Sequence, residues 1–148
     1  MKRFKLGLVL LAFVAMTGMA NAGGVGYIDY TKVIDNYDYA KKAIKEVDAK
    51  GLEMQQYLVD KEKEYKSLDT PLKKQSFEQR TAQEFKAKED AYIALKNKRE
   101  QEVYTKIREA AKAVMVEHKL DAVMNQAGVF VGGVDITDMV INKLKVAR

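Results

Sequence analysis

The sequence Asp69-Thr70-Pro71 interrupts a region, residues 41–117, that contains one glycine and no other proline. Thr70 suits the N-cap position of a helix, and Pro71 suits the first helical position, where its missing N–H loses no hydrogen bond. The residues on both sides of this break have helical periodicity. We therefore predict a long antiparallel helical hairpin over residues 41–112, with its tip at the break.

Each predicted helix carries a stripe of mainly apolar residues at alternating spacings of three and four, the pattern of a coiled coil. The first stripe contains Tyr37, Ala40, Ile44, Val47, Gly51, Met54, Leu58, Lys61, Tyr65 and Leu68. The second contains Phe77, Thr81, Phe85, Lys88, Tyr92, Leu95, Arg99, Val103, Ile107, Ala110 and Val114. Such a stripe needs a partner, so we expect the two helices to pack against each other.

The two ends of the chain, residues 23–40 and 113–148, predict a small body of mixed structure. Thr31 is expected to cap a first short helix and Thr137 to begin a last one. Runs of β-favouring residues indicate three strands, at residues 25–29, 120–124 and 129–131. A body of 54 residues is too small to be stable alone, and three short strands leave open edges. The fold class is therefore α+β, with assembly through the body.

Residues 1–22 have the pattern of a cleaved signal peptide. The first five residues carry three positive charges, residues 6–16 are uncharged and apolar, and Ala20 and Ala22 are the small residues that a signal peptidase reads. The apolar segment is shorter than the ~20 residues that span a bilayer. Removal of the signal peptide leaves 23 basic and 21 acidic residues, a net charge of +2 instead of +5. This small excess, together with export, argues against a nucleic-acid partner.

The composition also argues against catalysis. The chain has no cysteine and one histidine, His118, and its only serines, Ser67 and Ser76, lie far from that histidine in sequence. The glycine pair at residues 132–133 lacks the lysine and hydroxyl residue of a phosphate-binding loop. We therefore expect no enzyme activity, no metal and no cofactor.

Four motifs at the chain ends carry a family resemblance. They are Val-Gly-Tyr-Ile-Asp-Tyr-Thr-Lys-Val at residues 25–33, His-Lys-Leu-Asp-Ala-Val-Met at 118–124, Gly-Val-Phe-Val-Gly at 128–132 and Asp-Ile-Thr-Asp-Met-Val-Ile-Asn-Lys-Leu at 135–144. On these motifs the chain resembles the Skp/OmpH family of periplasmic chaperones over essentially its whole mature length. The resemblance implies the periplasm and a homotrimer, in which strands of the protomers form a small β-barrel body. It also implies three helical arms that enclose a cavity for unfolded outer-membrane proteins.

This resemblance assigns roles to the predicted regions. Residues 23–40 and 113–148 become the trimerisation body, and residues 41–112 become the arm. The candidate trimerisation residues are the apolar side chains of the predicted strands: Val25, Tyr27, Ile28, Val123, Met124, Val129, Phe130 and Val131.

Basic and aromatic residues of the arm are the candidate contacts for such a client. Residues 41–112 carry 18 Lys and Arg and 14 Asp and Glu, and the positive excess would speed encounter with acidic chains. The candidates are Tyr57, Lys61, Lys63, Tyr65, Lys66, Lys73, Lys74, Phe77, Arg80, Phe85, Tyr92 and Tyr104. Sealing of the hairpin is the favoured alternative for the four stripe aromatics, whereas Tyr57 and Tyr104 lie beside the stripes and are expected to face a client. For the basic residues a solvated helical face is the alternative, and an anionic membrane surface or lipopolysaccharide stays open as a further ligand.

The sequence therefore predicts an ATP-independent holdase for unfolded outer-membrane proteins. Because the periplasm has no ATP pool, release of a client has to depend on weak contacts. The alternative is a structural envelope protein whose coiled-coil hairpin spaces other components without binding unfolded chains.

Overall fold

The computed structural model describes residues 23–146, so the signal peptide predicted for residues 1–22 lies outside the described part. In chain order the elements are β1 (Val25–Ile28), α1 (Tyr30–Asp35), α2 (Asp38–Lys66), α3 (Pro71–Glu117), β2 (Ala122–Asn125), a 3-10 turn (Gln126–Gly128), β3 (Val134–Asp135) and α4 (Thr137–Val146). Helices dominate, and the short strands come from the two ends of the described chain. This is the α+β composition that the sequence predicts.

A short connection joins α2 to α3 at the predicted break. Pro71 is the first residue of α3, and the Thr70 side chain accepts a hydrogen bond from the backbone N–H of Lys73 at 3.4 Å. The Lys73 ammonium also pairs with the Asp69 carboxylate at 2.9 Å. The predicted start of the second long helix is therefore confirmed.

The two long helices run antiparallel, because paired residues rise in number along α2 as they fall along α3. Tyr39 pairs with Glu102, and Tyr57 pairs with Glu84. α2 has 29 residues and is about 44 Å long at 1.5 Å per residue. α3 has 47 residues and continues past the start of α2 into the body. The part of this helix pair within residues 41–112 is called the arm below.

The body contains a parallel sheet in the order β2-β1-β3, packed against helices. Val25 lies opposite Ala122 in β2, and Gly26 lies opposite Val134 in β3. A Cβ atom on Gly26 would lie 2.8 Å from a methyl carbon of Leu120, so the close packing here requires glycine. The buried core joins the sheet to all four helices and consists of Ile28, Val33, Tyr37, Ala40, Ala43, Val103, Ile107, Ala110, Ala111, Val114, Ile136, Val140, Ile141 and Leu144.

A hydrogen-bond network ties the start of the described chain to its last helix. The backbone N–H of Asp29 donates to the Thr137 hydroxyl at 3.0 Å. The Asp135 carboxylate accepts from the backbone N–H of Thr137 at 2.9 Å and from its hydroxyl at 2.5 Å. These bonds hold the pKa of Asp135 below its ordinary value. Thr137 does begin α4, as predicted, and it is almost fully buried.

The first short helix begins earlier than predicted. α1 starts at Tyr30, so Thr31 lies inside the helix and does not cap it. The cap is Asp29, whose side chain accepts from the backbone N–H of Lys32 at 2.9 Å. A carboxylate at the N-cap also interacts favourably with the helix dipole, which a threonine hydroxyl does to a smaller degree.

The strand predicted at residues 129–131 is wrong for the described chain. Phe130 is 103% exposed and Val131 is 85% exposed, and neither pairs with a strand within residues 23–146. The third strand is instead β3, which pairs in parallel with β1. Parallel pairing requires the chain to return to the start of β1, and Gly132 and Gly133, with φ of 83° and 89°, make that reversal.

Candidate functional site

Tyr57 lies between the two helices of the arm. Its hydroxyl donates to the Glu84 carboxylate at 2.7 Å, and the ammonium groups of Lys61 and Lys88 lie 5.7 and 4.9 Å from its ring centre. Burial and the bond to Glu84 together raise the pKa of Tyr57 to about 12, and the same bond lowers the pKa of Glu84. The client contact predicted for Tyr57 stays a prediction, but its hydroxyl is committed to the arm.

A second aromatic cluster lies nearer the tip. Phe77 is buried and its ring centre is 6.1 Å from that of Tyr65 on the facing helix. Lys74 lies over the Tyr65 ring at 5.3 Å, and Arg80 and Lys61 lie over the Phe77 ring at 5.8 and 5.3 Å. Cation–π contacts of this kind stabilise by about 0.5–1 kcal/mol each at exposed sites. The basic and aromatic residues that the sequence treats as separate features therefore form one layer.

The other predicted lysines are exposed and have acidic neighbours on their own chain segment. Lys63 lies 3.6 Å from Asp60, and Lys66 lies 2.5 Å from Glu62. Ion pairs this exposed contribute little to stability, because water and salt screen them. Their effect on the arm is to offset part of its positive field. Two further predicted contacts, Phe85 and Tyr92, are half-buried between the helices.

An ion-pair network that the sequence analysis missed joins the helices closer to the body. The Arg99 guanidinium binds the Glu46 carboxylate at 2.9 and 3.0 Å and the Glu102 carboxylate at 2.7 Å. The Tyr39 hydroxyl also donates to Glu102, at 2.8 Å. Arg99 and Tyr39 lower the pKa of Glu102, while the two carboxylates raise the pKa of Arg99. The signal in the sequence was an arginine in a stripe position that otherwise favours apolar residues.

A groove of about 730 Å³ lies beside this network, at the root of the arm. Its apolar lining is Tyr30, Ile34, Ala40, Ala43, Ile44, Val47, Val103 and Tyr104. Ile44 is 47% exposed and Tyr104 is 51% exposed. Tyr104 is therefore the predicted client contact that the structure places at an open apolar surface.

Large apolar side chains are exposed along the whole arm, and most of them lie off the predicted stripes. They are Ile44, Leu52, Leu58, Val59, Leu72 and Ile93. Leu72, beside the tip, is 76% exposed. The sequence analysis missed Leu52, Val59, Leu72 and Ile93 as site residues, and the signal that marks them is an apolar residue outside the stripe on a charged helix.

The predicted trimerisation residues divide between the core and the surface. Ile28 is buried in its own chain, and Tyr27 and Val123 are half-buried. Exposed members are Val25, Met124, Phe130 and Val131. A second groove, of about 350 Å³, is lined by Ile28, Tyr30, Tyr104, Ile107, Arg108, Ala111, Lys112, Met115, Val123, Met124 and Asn125, and it shares Tyr30 and Tyr104 with the root groove.

Residues 24–144 match the family described as outer membrane protein (OmpH-like). The chain belongs to the OmpH-like family. A crystal structure of a candidate outer membrane chaperone (OmpH-like) from Caulobacter crescentus CB15 is similar at 15% sequence identity and a TM-score of 0.42, with 85% of this chain and 86% of that chain covered. A comparison with curated proteins gives no match.

The OmpH-like match covers the body and the arm together, so it includes every candidate site residue. His118 ends α3, with its backbone N–H bonded to the carbonyl of Val114 at 3.0 Å, and its side chain is exposed. Ser67 ends α2, and its hydroxyl donates to the Glu64 carbonyl at 2.7 Å. Within residues 23–146, acidic and histidine side chains form no cluster of three or more that could hold a metal ion.

The helices of this OmpH-like chain were also compared with the dimensions of a bilayer. Across the described residues 23–146, none of them is both long enough and apolar enough to cross a membrane.

Proposed function

We propose that this OmpH-like chain is an ATP-independent periplasmic holdase that binds unfolded outer-membrane proteins and prevents their aggregation. In this proposal three copies assemble through their bodies as a homotrimer with a small β-barrel, and the arms, as coiled-coil hairpins, enclose a cavity for the client. The observation that carries the proposal is the row of exposed apolar side chains spaced along a charged arm about 44 Å long.

Spacing of these side chains suits a binder that uses many weak contacts. Leu52, Val59, Leu72 and Ile93 are each 46–76% exposed, and charged residues separate them along the helices. Each side chain can bury a small apolar area of an unfolded chain, while no continuous patch invites self-association. Several weak contacts within one cavity hold a client through effective concentration, and each can be released without ATP.

Charge supports the encounter between arm and client. The arm has a positive excess, and exposed lysines such as Lys63, Lys66 and Lys73 lie close to the tip. A field of this sign steers acidic unfolded chains, and salt screens it. The basic residues therefore act on the association rate, and the apolar side chains act on the dissociation rate.

The body supports assembly into a trimer. Within the described chain β2 and β3 each pair only with β1, so both outer edges of the sheet are free. Open strand edges and exposed Phe130 and Val131 are features that a stable protein covers. Three copies in a closed ring can cover all of them.

The test measures light scattering from an unfolded outer-membrane β-barrel protein that is diluted from urea in the presence of the mature chain. We expect suppression of aggregation by the unmodified protein and loss of suppression when Leu52, Val59, Leu72 and Ile93 are all replaced by Ser. The matched control replaces Gln55, Gln75, Gln79 and Gln83, exposed residues of the same two helices, by Ser. A control variant as defective as the apolar variant, or an apolar variant as active as the unmodified protein, would show that these side chains do not hold the client.

A second variant tests the role of charge. Replacing Lys61, Lys63, Lys66, Lys73 and Lys74 by Gln should lower the association rate and its salt dependence, with a smaller effect on dissociation. An unchanged association rate at low salt would contradict steering by the arm.

The alternative function, a structural coiled-coil spacer of the envelope, rests on the rigid cross-links of the arm. Arg99 joins Glu46 and Glu102, and Tyr57 joins Glu84, and a spacer needs such a fixed length. A folded protein that fails to protect any unfolded outer-membrane protein would favour this alternative.

A further inference from the structure

We propose that residues 129–131 of one copy dock on the free edge of β2 in a second copy, and that Phe130 enters the groove between β2 and α3. The inference rests on the assembly of copies in the proposed function. It goes further by naming the two different surfaces that meet, so that the contact is head-to-tail and not symmetric.

The docking segment is apolar, exposed and already extended. Phe130 and Val131 are 103% and 85% exposed, the largest values among the apolar residues of the described chain. Val129 has φ of −103° and ψ of 113°, which are strand values. Gly132 and Gly133, with positive φ, end the segment. The segment therefore has the sequence and the starting conformation of a strand, and it lacks a partner strand in its own described chain.

The receiving surface offers what such a strand needs. β2 pairs with β1 on one side only, so the backbone N–H and C=O groups of its other side are free within the described chain. Beside it lies the groove of about 350 Å³, with Met115, Met124 and Tyr104 in its lining. Met124 is 44% exposed and Tyr104 is 51% exposed. An added strand would satisfy the free edge, and alternate side chains would point toward and away from the groove.

A second copy of this chain is the occupant that the structure favours over a client. The 103% exposure of Phe130 shows that it does not fill the groove of its own chain. Every copy carries one such segment and one such groove, and both are apolar and of limited size. A contact between two different surfaces repeats around a closed ring, and a ring of three leaves no segment and no groove uncovered.

The direct test is photo-cross-linking between two isotopic forms of the chain. An unlabelled chain that carries p-benzoylphenylalanine at position 130 is refolded together with a ¹⁵N-labelled chain of natural sequence, irradiated and digested with trypsin. We expect cross-links to labelled peptides that span residues 100–106, which include Tyr104, or 113–119, which include Met115. The matched control carries the same photoreactive residue at Leu72, which is also exposed, and should not label these peptides.

A substitution provides the second measurement. Phe130→Asp should reduce the mass measured by light scattering from that of three chains to that of one, with the helical circular dichroism unchanged because Phe130 packs on nothing in its own chain. Leu72→Asp should leave the mass of the assembly unchanged. A Phe130→Asp variant that remains an intact trimer would overturn the proposal.

The outcomes separate this contact from the proposed function. A trimer whose cross-links from position 130 fall outside the groove overturns this inference and leaves the holdase proposal standing. Cross-links to the groove, from a chain that fails to protect unfolded outer-membrane proteins, support this inference and overturn the holdase. A natural chain that is a stable monomer overturns both the contact and the trimer.

Discussion

The Tyr57 hydroxyl joins α2 to α3 at a position where burial and a hydrogen-bond acceptor act in the same direction. Both favour the neutral phenol, which is why the pKa of Tyr57 is raised to about 12. A side chain whose pKa is higher in the folded state than in the unfolded state stabilises the fold at pH values below both. That contribution is lost as pH rises from the unfolded pKa of 10.0 toward 12.

The first prediction follows from this sign. Tyr57→Phe should lower the free energy of unfolding by about 1 kcal/mol at pH 7, because one hydrogen bond to a charged acceptor is removed. The difference between the natural chain and the variant should shrink between pH 10 and 12. Urea unfolding at several pH values measures it, and Tyr104→Phe, at a half-exposed position, is the control with little expected change. A constant difference up to pH 12 would contradict this account.

Individual contacts of the arm were only partly predictable from the sequence. The stripes correctly place Phe77 and Val103 among the buried residues. They do not place Tyr57, because a stripe describes one helix, and its bond to Glu84 depends on the register between two helices. The same reason hides the pairing of Arg99 with Glu46, residues 53 positions apart.

At the scale of elements, the arm is closed by a small number of contacts that lie far apart. The Arg99 network holds the part near the body, Tyr57 holds the middle, and Phe77 with Tyr65 holds the part near the tip. The tip cluster has little around it, since neighbouring Leu72 is mostly exposed. Local opening should therefore begin at the tip.

The second prediction concerns this opening. Phe77→Ala removes a buried ring and should lower the local opening free energy by about 3 kcal/mol, which corresponds to roughly 100-fold faster hydrogen exchange at the end of α2 and the start of α3. Exchange in β1 and at Ile107 should be unchanged, because the body opens separately. Leu72→Ala is the control. Equal acceleration in the arm and the body would show that they unfold as one unit.

The sequence predicted helices better than strands, for a physical reason. A helix satisfies its hydrogen bonds locally, so periodicity and the Thr70-Pro71 signal place α2 and α3 well. A strand needs a partner elsewhere in the chain or in another chain. Residues 129–131 have strand composition and are not a strand in the described chain, whereas Val134–Asp135 becomes one because Gly132 and Gly133 return it to β1.

At the scale of the whole molecule, the body and the arm have different requirements. The body has a small core and free sheet edges, so its stability should depend on other copies. The arm is long and has its own cross-links, so its closure should not depend on them. The two parts should therefore respond differently to protein concentration.

The third prediction is a concentration-dependent Tm. If three chains fold and assemble together, a 100-fold dilution should lower the Tm by roughly 5–10 °C, because unfolding then releases three particles from one. Differential scanning fluorimetry with an extrinsic dye is suitable, since the chain has no tryptophan. The Phe130→Asp variant should have a lower Tm that does not change with dilution. A Tm independent of concentration in the natural chain would contradict folding coupled to assembly.

The fourth prediction separates enclosure of a client from simple contact with it. Removing residues 52–58 from α2 and 84–90 from α3 shortens each helix by about 10 Å. The removed segments face each other and include both partners of the Tyr57–Glu84 bond, so the clusters at Arg99 and Phe77 remain. The shortened chain should still form a trimer, protect a small outer-membrane protein and fail to protect a large one.

The two client sizes decide between the mechanisms. If the arms act only by contact, the loss of Leu52 and Leu58 should weaken binding of both clients alike, because the number of contacts falls for each. If the arms enclose the client, only the client that exceeds the reduced cavity should aggregate. Full-length Tyr57→Phe is the matched control, since it loses the same cross-link without shortening the arm. Equal protection of both clients by the shortened trimer would rule out enclosure and favour the spacer.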